Sequence, residues 1–190
     1  MTDLNERLNK ILDRVTSDDF LSGHGLGKEI PFYAFDYPPE DELVVRDHIH
    51  FVVSQIPKKH PGLRVIHVNL FQMIVDYLRQ RNLFDKAIAL QKAGGNEAVF
   101  AALKAPLDAS RVANVFERTA RPKDHDIVFV SGVGSAYPLL RTHSLLNNLH
   151  PLTGNTPLVL FYPGKYDGQS LRLFGTLQDR PYYRAFRLVD

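Results

Sequence analysis

The residues best suited to chemistry are the segment Ser131-Gly132-Val133-Gly134-Ser135, which follows the apolar run 127–130. The apolar run predicts a buried strand, and the residues after the segment predict a helix. Parallel α/β sheets bind ligands where a strand turns through glycines into a helix, because the first amides of the helix are free to donate to an anion. Gly132, Gly134 and Ser135 are therefore candidate anion- or nucleotide-binding residues. A tight turn from strand to helix requires such glycines even without a ligand.

Neither nucleotide-binding motif is complete in this chain. Segment 131–135 lacks the third glycine and the downstream acid of the dinucleotide fingerprint. The other glycine-rich segment, 23–28, follows a predicted helix, and Glu29 stands where a phosphate-binding loop carries Ser or Thr. We interpret segment 23–28 as a linker. A degenerate nucleotide-binding domain, P-loop-like or Rossmann-like, is the first alternative function.

Catalytic and metal-binding constellations are weakly represented. The chain contains no cysteine, which excludes disulfides, thiol nucleophiles and cysteine-ligated metals. His48 and His50 point to different sides of a predicted helix. A serine hydrolase would need a base for Ser131 or Ser135, and the candidate for it is His143 in the helix that follows them. We therefore expect a non-enzymatic protein without a metal or a cofactor.

A second candidate surface is the polar, turn-rich segment 162–170 and the strands that follow it. Loops on a rigid sheet often carry binding function, and tyrosine and arginine are frequent at interfaces. An antiparallel hairpin between 170–174 and 183–189 would bring Arg172 near Arg184 or Arg187. A solvated strand face would show the same charges without any partner. The candidate partner-binding residues are Tyr162, Lys165, Tyr166, Asp167, Arg172, Tyr183 and Arg184.

The composition is that of a soluble globular protein. With 190 residues, of which 44% are hydrophobic and 23% charged, we predict a single α/β domain over 1–190. No apolar run approaches the roughly 20 residues of a membrane-spanning helix, and the first residues lack an apolar signal core, so we expect a cytoplasmic protein with no membrane partner. The net charge of +2 does not require nucleic-acid binding. A DNA-contacting subunit that uses the C-terminal arginines is the second alternative, although we expect contact with DNA to be indirect.

The elements that must position these residues alternate between strands and helices. Predicted strands cover 31–36, 63–70, 127–130 and 158–161, and predicted helices cover 3–16, 43–56 up to Pro57, and 138–149, with another beginning at Leu70. Residues 83–120 show only helical patterns and predict a helical insertion. Apolar strands that alternate with helices favour an α/β fold with a mainly parallel, Rossmann-like sheet flanked by helices. An antiparallel hairpin is predicted at the C-terminal end.

Five segments of the chain have the length and composition of family motifs: 32–39, 130–150, 161–168, 171–175 and 182–186. Together these segments resemble the BrxB family. BrxB proteins are small components of BREX bacterial phage-defence systems. No catalytic residues are established for this family, so the resemblance transfers none to this chain.

The resemblance implies a biological process, phage defence, and does not imply a particular chemical reaction. BREX systems restrict phage alongside host DNA methylation, using a set of proteins that includes a methyltransferase, a large ATPase and the phosphatase-like PglZ. A small protein beside large enzymes suggests an assembly role. We therefore expect the partners to be other BREX proteins, with PglZ first and the ATPase or the methyltransferase after it.

Overall fold

The computed structural model describes residues 4–22, 31–178 and 185–190. Its main sheet is parallel and has the strand order β2-β3-β4-β1-β7. A short antiparallel extension, in which β5 pairs with β4 and β6 pairs with β5, continues from the end of β4. The strands are β1 (Phe32–Tyr37), β2 (Val65–Asn69), β3 (Ile127–Ser131), β4 (Leu158–Tyr166), β5 (Leu171–Leu173), β6 (Leu177–Gln178) and β7 (Ala185–Arg187).

Helices pack on both faces of this sheet. One face is covered by α1 (Leu4–Val15), α2 (Asp18–Ser22) and α3 (Glu42–Lys59). The opposite face is covered by α4 (Leu70–Gln80), α5 (Phe84–Leu103), α6 (Ala109–Ala120), α7 (Val133–Ala136) and α8 (Thr142–Thr153). The predicted α/β class, with a mainly parallel sheet flanked by helices, is confirmed.

The central strands are apolar throughout because each of them is buried on two sides. In β1, Tyr33 and Phe35 pack towards α1 and α3, whereas Phe32 and Ala34 pack towards the helices of the opposite face. All six residues of β1 are buried. Each large apolar side chain buried in this way contributes about 1.5–3 kcal/mol. The one charged residue of β1, Asp36, lies near the carboxyl end of the strand, where it lines a cleft.

The C-terminal strands pair differently from the prediction. The predicted hairpin joined 170–174 to 183–189, but β5 pairs with β4 and β6, while β7 lies parallel to β1. β4 occupies one edge of β1, and the C-terminal strand β7 pairs with the other edge. There the Leu188 amide donates to the Ala34 carbonyl at 3.0 Å. The strand order also differs from both common doubly wound orders, so the Rossmann-like expectation is not confirmed.

Two helix boundaries also differ from the predicted ones. Pro57 lies within the last turn of α3, which continues to Lys59. The helix predicted over 138–149 is α8, which begins at Thr142. The predicted insertion, 83–120, contains α5 and α6. No described helix is long and apolar enough to cross a bilayer.

Candidate functional site

A cleft of about 940 Å³ opens at the carboxyl edge of the sheet, next to the ends of β1, β4 and β7. Ligands of parallel α/β sheets bind at this edge. The side chains that matter most in its lining are Arg7, Asp36, Pro38, Lys165, Phe174 and Arg187. The cleft therefore combines apolar walls with several charged groups.

Asp36 is the shared hydrogen-bond acceptor at the charged floor of this cleft. Arg7 and Arg187 each donate to Asp36 Oδ1, at 2.8 and 3.0 Å, and the Tyr166 amide donates to Oδ2 at 3.0 Å. Arg7 also donates to the Asp36 carbonyl, and Arg187 donates to the Tyr166 carbonyl. Charged hydrogen bonds of this kind are the stronger ones in proteins. Both oxygens of Asp36 are thus occupied by protein donors, and α1, β1, β4 and β7 are held together at one point.

Tyr166 and Tyr162, two of the predicted contact residues, are buried in this structure, and their role in binding stays a prediction. Tyr162 is 0% and Tyr166 is 3% exposed, because β4 continues to Tyr166 and alternate residues point into the protein. The Tyr166 hydroxyl donates to the carbonyls of Ala185 and Gly168, and burial raises the pKa of Tyr166. Both tyrosine side chains therefore lie inside the protein, and Tyr166 links β4 to β7 through Ala185.

Gly164 permits the close approach of β5 to β4. A Cβ atom at this position would collide with the carbonyl oxygen of Arg172, which is backbone and cannot move aside. Beyond Gly164, the predicted loop 162–170 is strand as far as Tyr166. Only the residues from Asp167 to Ser170 form a turn.

Asp167 shapes that turn through its carboxylate. Its Oδ1 accepts from the Gln169 and Ser170 amides at 2.9 and 2.7 Å, and its Oδ2 accepts from the Ser170 hydroxyl at 2.9 Å. These hydrogen bonds, those of Ser170 first, lower the pKa of Asp167 to about 2. Asp167 is exposed, as are Lys165 and Arg172, so these three predicted contact residues are accessible to a partner. Their role in binding stays a prediction.

Three other predictions concern residues that lie outside the described part of the chain. Tyr183 and Arg184 belong to the candidate partner-binding set, and segment 23–28 was interpreted as a linker. All three stay predictions.

The glycines of the strand-to-helix segment lie against protein atoms. Gly132 has a φ of 72° and faces the Asn69 side chain, which caps α4 by accepting from the Gln72 amide. A Cβ atom on Gly134 would lie 3.0 Å from the Phe174 ring and 3.1 Å from Pro163. Ser135 is exposed. The cleft at the carboxyl edge is lined by none of Gly132, Gly134 and Ser135, and anion binding at these residues stays a prediction.

The structure brings Ser131 to a histidine that sequence proximity did not indicate. His67 Nε2 lies 2.7 Å from Ser131 Oγ, and the His50 ring centroid is 5.6 Å from the His67 ring centroid. Burial, with a smaller contribution from His50, lowers the pKa of His67 to about 4. Ser131 is 3% exposed, His67 is partly buried, and neither lines the carboxyl-edge cleft, so this pair joins β2 to β3 away from the cleft. The sequence feature that could have indicated this contact is the strand register, because His67 and Ser131 both lie on the α3 side of adjacent strands.

These features define a small parallel α/β protein with an open cleft and an antiparallel extension at the carboxyl edge of its sheet. The model of a family described as BREX protein BrxB matches residues 66–188. A BREX protein BrxB of Bacillus cereus (strain H3081.97) is 38% identical over the whole length of both chains. Another from Escherichia coli O9:H4 (strain HS) is 37% identical over 98% of this chain and 92% of its own. The chain belongs to the BrxB family, as its motifs predicted. No solved structure matches it.

Proposed function

We propose that the protein is a non-enzymatic assembly component of a BREX phage-defence system, which docks a larger protein of that system in the cytoplasm. Membership of the BrxB family supports the pathway, since both relatives are named as BREX proteins. The partner we put first is PglZ, followed by the ATPase and the methyltransferase. The observation that carries the docking role is the extension formed by β5 and β6 beside the carboxyl-edge cleft.

The extension has the composition of a protein-binding surface. Phe174 is 39% and Leu177 is 38% exposed, and Arg172 is exposed close to them in the sequence. Interfaces are enriched in aromatic residues and arginine, with apolar side chains at their centre. Leu171 and Leu173 are buried and anchor the extension to the core. The surface is therefore both accessible and held in a defined position.

The floor of the cleft favours docking over catalysis. A general acid or base must exchange a proton with a substrate at hydrogen-bond distance. The buried carboxylate of Asp36 accepts from Arg7, Arg187 and the Tyr166 amide. Its hydrogen-bonding capacity is thus used to hold elements together. This arrangement supports a structural role for Asp36 beneath a binding surface.

The test is co-purification of the tagged protein with separately tagged PglZ, ATPase and methyltransferase from the same system. We expect PglZ to be retained, and Leu177→Ser to weaken the association about tenfold, as loss of an apolar contact at an interface does. Ile88→Ser is the matched control, because Ile88 is 45% exposed on α5. If no component is retained, the docking role is wrong. If Leu177→Ser binds like the unchanged protein, docking uses another surface.

A further inference from the structure

Two cations face each other across the extension, and among the described residues only one acid, Asp167, pairs with either of them. Lys165 of β4 and Arg172 of β5 are directly paired in the antiparallel ladder, and both are exposed. Directly opposed residues point to the same face, with Cβ atoms about 4.5–5.5 Å apart, and like charges at such positions destabilise the pairing. The fold therefore keeps together two positive charges that repel each other.

The neutralisation of this pair within the described residues is weak. Arg172 lies 3.6 Å from Asp167, between side chains that are about half exposed. The two oxygens of Asp167 already accept from Gln169 and Ser170. Lys165 forms no ion pair with any described residue. Both cations thus keep donor capacity for a group from outside the chain.

The adjoining cleft is lined by charged groups of both signs. Lys165 lines the cleft, and on its floor Arg7 and Arg187 both pair with Asp36, while Arg187 also lies within ion-pair distance of Asp190. Pro38 and Phe174 supply apolar lining. A volume of about 940 Å³ is within the range of ligand-binding pockets. Lys165 and the apolar lining beside it suit a peptide that carries carboxylates next to an apolar side chain.

We propose that Lys165 and Arg172, together with the cleft beside them, bind an acidic segment of the docked protein, whose carboxylates bridge the two cations. This inference rests on the docking role proposed above and names the chemistry of the partner. A bridging carboxylate removes the cross-strand repulsion, so binding and the local stability of the extension are coupled. Charged contacts of this kind raise the association rate and weaken as salt screens them.

Two acids at the edge of the cleft, Glu40 and Asp190, determine which way the bound segment is oriented. Glu40 and Asp190 line the cleft, and Asp190 lies 3.8 Å from Arg187 as an exposed side chain. Glu40 is exposed and forms no ion pair with the described residues. The carboxylates of the segment therefore lie towards Lys165 and Arg172, away from Glu40. Replacing Glu40 with lysine removes a repulsion from the path of the segment.

The decisive variant is Lys165→Glu, measured in complex with PglZ over a range of salt concentrations. We expect its affinity to fall about tenfold or more and its salt dependence to become shallower. The same substitution places opposite charges across the ladder, so its Tm should rise by about 1–3 °C. Glu40→Lys should bind at least as tightly as the unchanged protein. Lys123→Glu, at an exposed site in the short 3₁₀ helix Pro122–Asp124 before β3, is the matched control and should bind normally.

The outcomes separate this inference from the docking role. If PglZ binds and Lys165→Glu has no effect, the acidic segment is wrong and docking stands. If PglZ, the ATPase and the methyltransferase all fail to bind, docking itself is wrong. Among overlapping peptides that cover the sequence of the bound protein, the acidic ones should be retained by the unchanged protein and should not be retained by the Lys165→Glu variant. If a DNA duplex is the ligand that Lys165→Glu releases, the peptide proposal is overturned.

Discussion

At the scale of single residues, Asp36 is the main electrostatic link of the protein. A buried carboxylate would be unfavourable alone, but two guanidinium groups and a backbone amide surround it. The sequence marks this residue only as a charge in an otherwise apolar and aromatic strand. Its partners Arg7 and Arg187 come from near the two ends of the chain, so no local pattern indicates them.

Asp36→Asn should destabilise the protein by about 3 kcal/mol, because Arg7 and Arg187 lose their shared counter-charge in a partly buried place. Urea denaturation measures this change in the free energy of unfolding. Asp76→Asn is the matched control: Asp76 lies 3.7 Å from Arg79, both side chains are about half exposed, and the expected loss is below about 1 kcal/mol. Equal losses for the two variants would contradict the importance of the buried group.

His67 should make the stability of the protein depend on pH. Its pKa in the folded protein is lowered to about 4 from the ordinary 6.5, so the folded state binds this proton less readily than the unfolded chain does. The contribution of His67 is therefore complete above pH 6.5 and is lost as pH falls to about 4, on the order of 2 kcal/mol. Urea midpoints measured across this range should fall more steeply for the unchanged protein than for His67→Gln. Parallel curves would exclude His67 as the titrating group.

At the scale of elements, β4 is the strand that the sequence described least well. Pro163 and Gly164 are typical of a turn, and the segment after Phe161 was predicted to be a loop. In the structure, the carbonyl of Pro163 accepts from the Phe174 amide at 2.9 Å, and Gly164 lies opposite Leu173. The pairing with β5 keeps this part of the chain extended. Tertiary contacts thus outweigh local turn preference here.

Gly164→Ala should destabilise the protein by about 2–3 kcal/mol, because the added methyl group would force β5 away from β4. The free energy of unfolding in urea is the measurement, and association with PglZ should weaken in parallel. Gly62→Ala is the control, since no atom lies within 4 Å of its added Cβ and its stability should change by less than about 0.5 kcal/mol. If the two variants are equally stable, the close approach of β5 does not constrain this position.

At the scale of the whole molecule, the two apolar clusters share the same strands. Alternate residues of β1, β3 and β4 belong to opposite clusters, as Phe32 and Tyr33 do. If the sheet separates from the helices on one face, the strands that also support the cluster on the other face are exposed to water. The predicted single domain should therefore unfold as one unit.

Urea unfolding followed by tyrosine fluorescence and by far-ultraviolet circular dichroism should give coincident transitions. The tyrosines near the cleft, such as Tyr37 and Tyr166, report on the carboxyl edge, whereas dichroism reports on all helices. Two separated midpoints would show that the helical part at 83–120 unfolds independently. In that case the single-domain prediction would be wrong.

The sequence by itself determined the fold class, the strands β1 to β3 and the family. Apolar periodicity reflects burial on one or both sides of an element, which is a local property of the chain. The run 127–130 and the helix predicted over 3–16 correspond to β3 and α1 for this reason. The family was recognised from long motifs, such as 130–150. Recognising these motifs does not require knowledge of the tertiary contacts.

Only the tertiary structure decided which residues meet at the carboxyl-edge cleft. Arg7, Asp36 and Arg187 meet because β7 lies beside β1 and α1 packs across the same edge, and sequence separation hides such contacts. The predicted tyrosines Tyr162 and Tyr166 are inside, while Lys165 and Arg172 are outside, because β4 continues as a strand with alternating sides. Strand pairing is a contact between distant segments, so its register and its neighbours are determined by packing rather than by local sequence.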